Sequence, residues 1–113
     1  MITSYPACFY KEKDGKYTVV FPDLNNIATS GIDLKEATDM ATDCLAGYIF
    51  GLNQDKIDMP VPSSVNKINP KEEAIKDGFE YEDAFVNVIC VDVEEYALKN
   101  FNRAVKREGK ICK

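Results

Sequence analysis

Residues 27–52 read IATSGIDLKEATDMATDCLAGYIFGL, and this stretch decides the fold. It opens as a short strand, Ile27 to Ser30, that stops at Gly31. Asp33 then stands where a helix N-cap belongs, with Glu36 three residues later to complete a capping box. From there Leu34, Ala37, Ala41, Cys44, Leu45, Tyr48 and Leu52 fall within an arc of about 100° at helical spacing, the stripe of a helix packed on a core. Gly47 and Gly51 each weaken that helix by about 1 kcal/mol relative to Ala. They mark either close approach to another backbone or fraying near the helix end. A strand handing over directly to a long amphipathic helix places the chain among α+β folds.

On the N-terminal side two further strands precede this unit. Ile2 to Lys11 is rich in Tyr, Phe and Ala, and Lys16 to Phe21 carries the run Val19-Val20-Phe21, which predicts burial on both faces. Asp14-Gly15 between them is a hairpin signal. Pro22-Asp23 ends the second strand and Asn25-Asn26 turns the chain into the third. Three strands on short connections predict an antiparallel meander.

On the C-terminal side, residues 55–64 form an extended connection set by Pro60 and Pro62. A short helix follows, with Asn69 as cap, Pro70 at its first position, Glu72 in the capping-box position and Gly78 as its stop. Phe85 to Val93 is apolar apart from Asn87 and reads as a central fourth strand. Glu94 to about Phe101 is a final helix. The chain has no internal repeat and no low-complexity tract.

At 113 residues, with 45% apolar and 11% aromatic side chains, one domain can bury a core without a metal or disulfide. No apolar run nears the roughly 18 residues of a membrane span, and the N-terminus lacks the basic and apolar regions of a signal peptide. A cytoplasmic protein is expected. Cys8, Cys44, Cys90 and Cys112 lack ligand-like spacing, and three of them sit in apolar runs as small hydrophobes.

Charge is divided unevenly. The net charge is −5, from 14 basic and 19 acidic residues. Lys99 to Lys113 holds six of the basic residues and one acid, Glu108, so the first 98 residues carry eight basic and 18 acidic groups, a net of −10. Residues 1–101 are therefore read as an acidic domain and 102–113 as a basic tail.

The chain contains no His, which removes His-dependent triads, Cys–His pairs and HExxH zinc sites. There is no P-loop and no GxGxxG. Carboxylates alone remain as a route to catalysis, but Glu72-Glu73, Glu80-Tyr81-Glu82-Asp83 and Glu94-Glu95 fall in loops or at helix starts, where they oppose the helix dipole. No catalytic residue, cofactor or metal is expected, and the chain is not read as an enzyme. On the long helix Glu36, Asp39 and Asp43 lie opposite the core stripe, and Phe50 lands on the same outer face. That set is either a solvated face with one stray aromatic or an anchor for a basic protein partner.

The run Tyr5-Pro6-Ala7, Asp14-Gly15, Tyr17, Phe21-Pro22-Asp23-Leu24, Thr29 and Gly31 resembles the N-terminal domain of HicB antitoxins. Leu34-Lys35-Glu36-Ala37, Ala41, Leu45, Pro60-Val61-Pro62-Ser63 and Val91-Asp92-Val93 continue the likeness, which covers roughly residues 4–100. The resemblance implies a partial RNase-H-like fold, β-β-β-α-β-α, without that fold's nuclease acids. It further implies binding and blocking of a small basic HicA-like toxin, an mRNA interferase, by at least a homodimer. Two departures stand out. Asn25-Asn26-Ile27 replaces a Pro-Gly-Cys-like turn, which Asn tolerates because it accepts left-handed geometry. The ribbon-helix-helix or helix-turn-helix region that often follows is not seen before Lys113, so operator binding is not expected.

Three functions compete on this reading. The first is a toxin-neutralising module. The second is a nucleic-acid-binding protein whose tail residues Arg103, Lys106, Arg107 and Lys110 touch phosphates. The third is a carboxylate-dependent hydrolase.

Overall fold

The computed structural model describes residues 2–78 and 80–101. Its strands are β1 (Ile2–Lys11), β2 (Tyr17–Phe21), β3 (Ile27–Gly31) and β4 (Asp83–Asp92), and its helices are α1 (Leu34–Gln54), α2 (Pro70–Asp77) and α3 (Val93–Asn100). All strand pairs are antiparallel, in the order β3-β2-β1-β4, which makes the molecule α+β.

The local signals act as the residues dictate. Gly15, at φ 92°, turns β1 into β2, and Asn25 and Asn26, at φ 58° and 57°, turn the chain toward β3 in left-handed geometry. Asp33 Oδ1 accepts from the Glu36 N–H at 2.8 Å, and Glu36 Oε1 accepts from the Ile32 N–H at 2.9 Å. The capping box is thus closed one residue further back than its usual form. Asn69 caps α2, and Gly78 ends it at φ 77°. Pro6 sits in a central strand, but the β1–β2 register starts at Cys8↔Val20, so its missing N–H faces no β2 partner.

The sheet is buried on both sides where β1 and β2 pair. One face carries Tyr5, Ala7, Phe9, Val19 and Phe21 against α1, and the other carries Cys8, Tyr10 and Val20 against Ala74 of α2. Gly31 is needed where β3 meets α1. A Cβ there would lie 2.3 Å from the Ala37 nitrogen, so no side chain fits.

Three expectations are corrected. β4 is an edge strand, not a central one. Its apolar run supplies Phe85, Ile89 and Val91 to the α1 side, while Val88 (40% exposed) and Cys90 on the other side remain open. The buried residues of α1 are Ala37, Ala41, Leu45, Ala46 and Ile49, and Leu34 is exposed. The buried arc is about 180° wide instead of 100°, and α1 packs against α3 as well as against the sheet. Gly47 and Gly51 explain neither close approach nor fraying. The nearest group to a Cβ at Gly47 is a Phe101 ring carbon at 4.0 Å, Gly51 meets nothing within 4 Å, and the helix runs on to Gln54.

Candidate partner-binding site

The four α1 residues singled out by charge and periodicity do not behave alike. Glu36 is exposed but committed to the capping box. Asp39 is exposed and pairs with Lys35 at 3.0 Å. Such an exposed i,i+4 pair contributes a few tenths of a kcal/mol at most, and its carboxylate stays open to water and partners.

Asp43 and Phe50 are joined through α3. Tyr96 donates its hydroxyl to Asp43 Oδ1 at 2.9 Å. Its ring lies 5.6 Å from Phe101, whose ring lies 5.4 Å from Phe50. The run Asp43–Tyr96–Phe101–Phe50 is therefore a polar-capped aromatic ladder between the two helices. Burial, and then the Asp43 hydrogen bond, push the Tyr96 hydroxyl up to about 12, so it remains a donor at any physiological pH. Phe50 is half-buried in this ladder, which corrects the expectation of a freely exposed aromatic.

Beside the ladder, α1 and α3 leave an open groove of about 360 Å³. Phe50, Val93, Ala97 and Leu98 line it together with Asn53, Gln54 and Glu94. Leu98 is 63% exposed. Sequence reasoning missed it; its signal was an apolar residue on a short helix rich in charged neighbours. The arrangement combines apolar side chains with carboxylates on the same flank.

A second cluster gathers residues far apart in sequence. The Tyr5 hydroxyl donates to the Pro60 carbonyl, and the Ser63 N–H and hydroxyl donate to Asp23. Burial, then the Asp23 charge, hold the Tyr5 hydroxyl above its ordinary range. This cluster pins the extended segment 57–64 across the sheet end.

Reactive chemistry finds little support. Cys8 is buried, and burial followed by the Asp43 charge raises the Cys44 thiol, away from the reactive thiolate. Among the described residues no cluster of three metal-ligand side chains occurs, and no helix is long and apolar enough to cross a membrane. Arg103, Lys106, Arg107 and Lys110 lie outside the described residues.

The sequence matches the family described as HicB_like antitoxin of bacterial toxin-antitoxin system over residues 5–106. It is 35% identical over 89 residues to an uncharacterised 14.9 kDa protein from the rep-hol intergenic region of Haemophilus phage HP1, covering 79% of this chain and 61% of that protein. The chain thus spans less than two thirds of the phage protein's length. The fold superposes on a chain of a toxin–antitoxin complex from Streptococcus pneumoniae with TM-score 0.74 and 24% identity, over 97% of this chain and 90% of that one. It also superposes on the N-terminal domain of Burkholderia pseudomallei antitoxin HicB with TM-score 0.63 and 20% identity, over 80% and 99% of the two chains. At these identities the two structures establish the fold.

Proposed function

The chain belongs to the HicB_like antitoxin family of bacterial toxin–antitoxin systems, and we propose that it acts by binding and neutralising a small basic mRNA-interferase toxin of the HicA type. The observation that carries this reading is charge. Residues 1–98 hold a net −10 against the −5 of the whole chain, so the folded body attracts and orients a basic protein. The α1–α3 flank supplies one contact surface, with Phe50 and the groove as its apolar centre and Asp43, Asp39 and Glu36 as its acidic rim. The protein works in the cytoplasm, as a homodimer or larger assembly, and performs no catalysis of its own.

Titration of the purified chain against a basic HicA-like toxin tests this. Binding weakens with rising salt, blocks RNA cleavage and survives deletion of residues 102–113. A double change, Phe50→Ala with Asp43→Lys, that folds and leaves affinity intact removes the proposed surface. Loss of nucleic-acid retention on the same deletion, without any toxin binding, supports instead a tail that contacts phosphates through its cations.

A further inference from the structure

β4 pairs with β1 along all ten of its residues, Asp83 to Asp92, and with no other described strand. Which of its backbone groups face outward follows from the alternation of an antiparallel ladder. The Glu12 N–H donates to the Lys16 carbonyl at 2.9 Å, so even-numbered β1 positions address β2 and odd-numbered ones address β4. Their partners Asp83, Phe85, Asn87, Ile89 and Val91 therefore hold β4 to the sheet, and Ala84, Val86, Val88, Cys90 and Asp92 direct N–H and C=O away from it. Two hydrogen bonds agree. The Ala84 N–H turns to Asp83 Oδ1 at 2.9 Å and the Val88 N–H to Asn87 Oδ1 at 3.0 Å, each a side chain of its own strand. The outward groups of Val86 and Cys90 meet no other backbone partner among the described residues.

Isolated proteins blunt such edges with Lys, Pro, a bulge or a very short strand. DAFVNVICVD contains none of these, and only Asn87 interrupts its apolar run. An edge this long and this apolar is built to be occupied.

Charge at its two ends selects the occupant. Glu80, Glu82 and Asp83 are exposed at one end, and Glu94 and Glu95 at the other. A second copy fits poorly. Antiparallel self-pairing with Val88 on the two-fold axis sets Ala84 opposite Asp92 and brings the acidic start of α3 in one copy, Glu94 and Glu95, toward Glu82 and Asp83 of the other, so like charges gather at both ends. A strand from a basic protein turns the same charges into attraction.

We infer that the open edge of β4 receives an extended strand of a partner protein, apolar at its centre and carrying Lys or Arg at both ends. This deepens the antitoxin reading and rests on it for the identity of the partner alone; the edge is argued from the sheet.

The test uses the full chain and two synthetic probes of alternating threonine and valine, one with paired lysines at both ends and one with paired glutamates. The lysine probe binds at least about tenfold more tightly, loses affinity with salt, and slows amide exchange at Val86 and Cys90. Cys90→Pro removes an outward N–H that β1 does not use and abolishes binding. The double change Glu80→Lys with Glu82→Lys leaves the edge itself intact and weakens the preference for the lysine probe. Equal binding of both probes overturns the inference, as does absent protection at Val86 and Cys90. So does a dimer of the free chain that already protects those two amides. A chain that binds the lysine probe but no HicA-like toxin refutes the antitoxin reading and keeps the edge, and the opposite pattern refutes the edge alone.

Discussion

Asp23 accepts two hydrogen bonds from Ser63, 40 residues away: the Ser63 N–H reaches one carboxylate oxygen at 2.7 Å and its hydroxyl reaches the other at 2.7 Å. Both oxygens of one carboxylate are used to fix one point of the 57–64 segment, and Tyr5 fixes another through the Pro60 carbonyl. Hydrogen bonds to a charged acceptor are the stronger kind. Asp23→Ala is therefore expected to cost about 1.5–3 kcal/mol and to lower the melting temperature. Amide exchange at Ser63 rises while exchange across the β1–β2 ladder is unchanged. A Ser63 amide that stays protected in the variant would show that the segment is held by something else.

Tyr5, Asp23 and Ser63 also mark where the sequence could be read and where it could not. Each belongs to a motif visible in the chain, but nothing in their spacing says that they meet. Turns and caps are different. Asp14-Gly15, Asn25-Asn26, Asp33 with Glu36, and Asn69 with Pro70 act on neighbours within four residues, so their chemistry can be read along the chain. Periodicity shows which side of an element is apolar, but not what covers it. That is why the run from Phe85 to Val93 reads as central although β4 lies at the edge. It is also why the α1 stripe omits Ala46 and Ile49, which are buried, and why Phe50 reads as exposed when Phe101 lies against it.

Gly31 and Gly15 are both required, for opposite reasons. Gly31→Ala places a Cβ 2.3 Å from the Ala37 nitrogen, a backbone atom of α1 that cannot give way without moving the helix. Overpacking of this kind costs about 1–3 kcal/mol, and it falls on the β3–α1 junction. Gly15→Ala meets no atom within 4 Å but must hold φ at +92°, so its cost is backbone strain of about 1–2 kcal/mol. Chemical denaturation of the two variants, with amide exchange at Ala37, separates them. Only Gly31→Ala should loosen the start of α1.

Tyr96 supplies an alkaline prediction. Its pKa is raised from 10.0 to about 12, chiefly by burial and then by the hydrogen bond to Asp43. The folded state thus favours the neutral phenol more than the unfolded state does. The stability this contributes is fully present below pH 10 and is lost as pH rises toward 12. Asp43→Asn removes the charge but not the burial, so the Tyr96 titration should move only part of the way back toward 10. Following the Tyr96 ring-carbon shift by NMR in both proteins checks this. A full return to 10 would show that Asp43, not burial, dominates.

Asp92 makes the matching prediction at the acid end. It caps α3 by accepting from the Glu95 N–H at 3.1 Å, and that bond is the leading cause of its lowered pKa. A depressed carboxyl contributes stability above the ordinary aspartate range, and that contribution is lost as pH falls through the folded-state value. The cap holds the helix that carries Tyr96, so its loss reaches the aromatic ladder and the groove at Phe50. Acidification should speed amide exchange at Glu95 before it affects the β1–β2 ladder. Asp92→Ser retains a capping oxygen without a titrating group, so exchange at Glu95 becomes independent of pH in that range once the intrinsic rate is corrected. Asp92→Ala has neither, and α3 is already loosened at neutral pH. An Asp92→Ser protein with an unchanged acid response would place the sensitive carboxylate elsewhere.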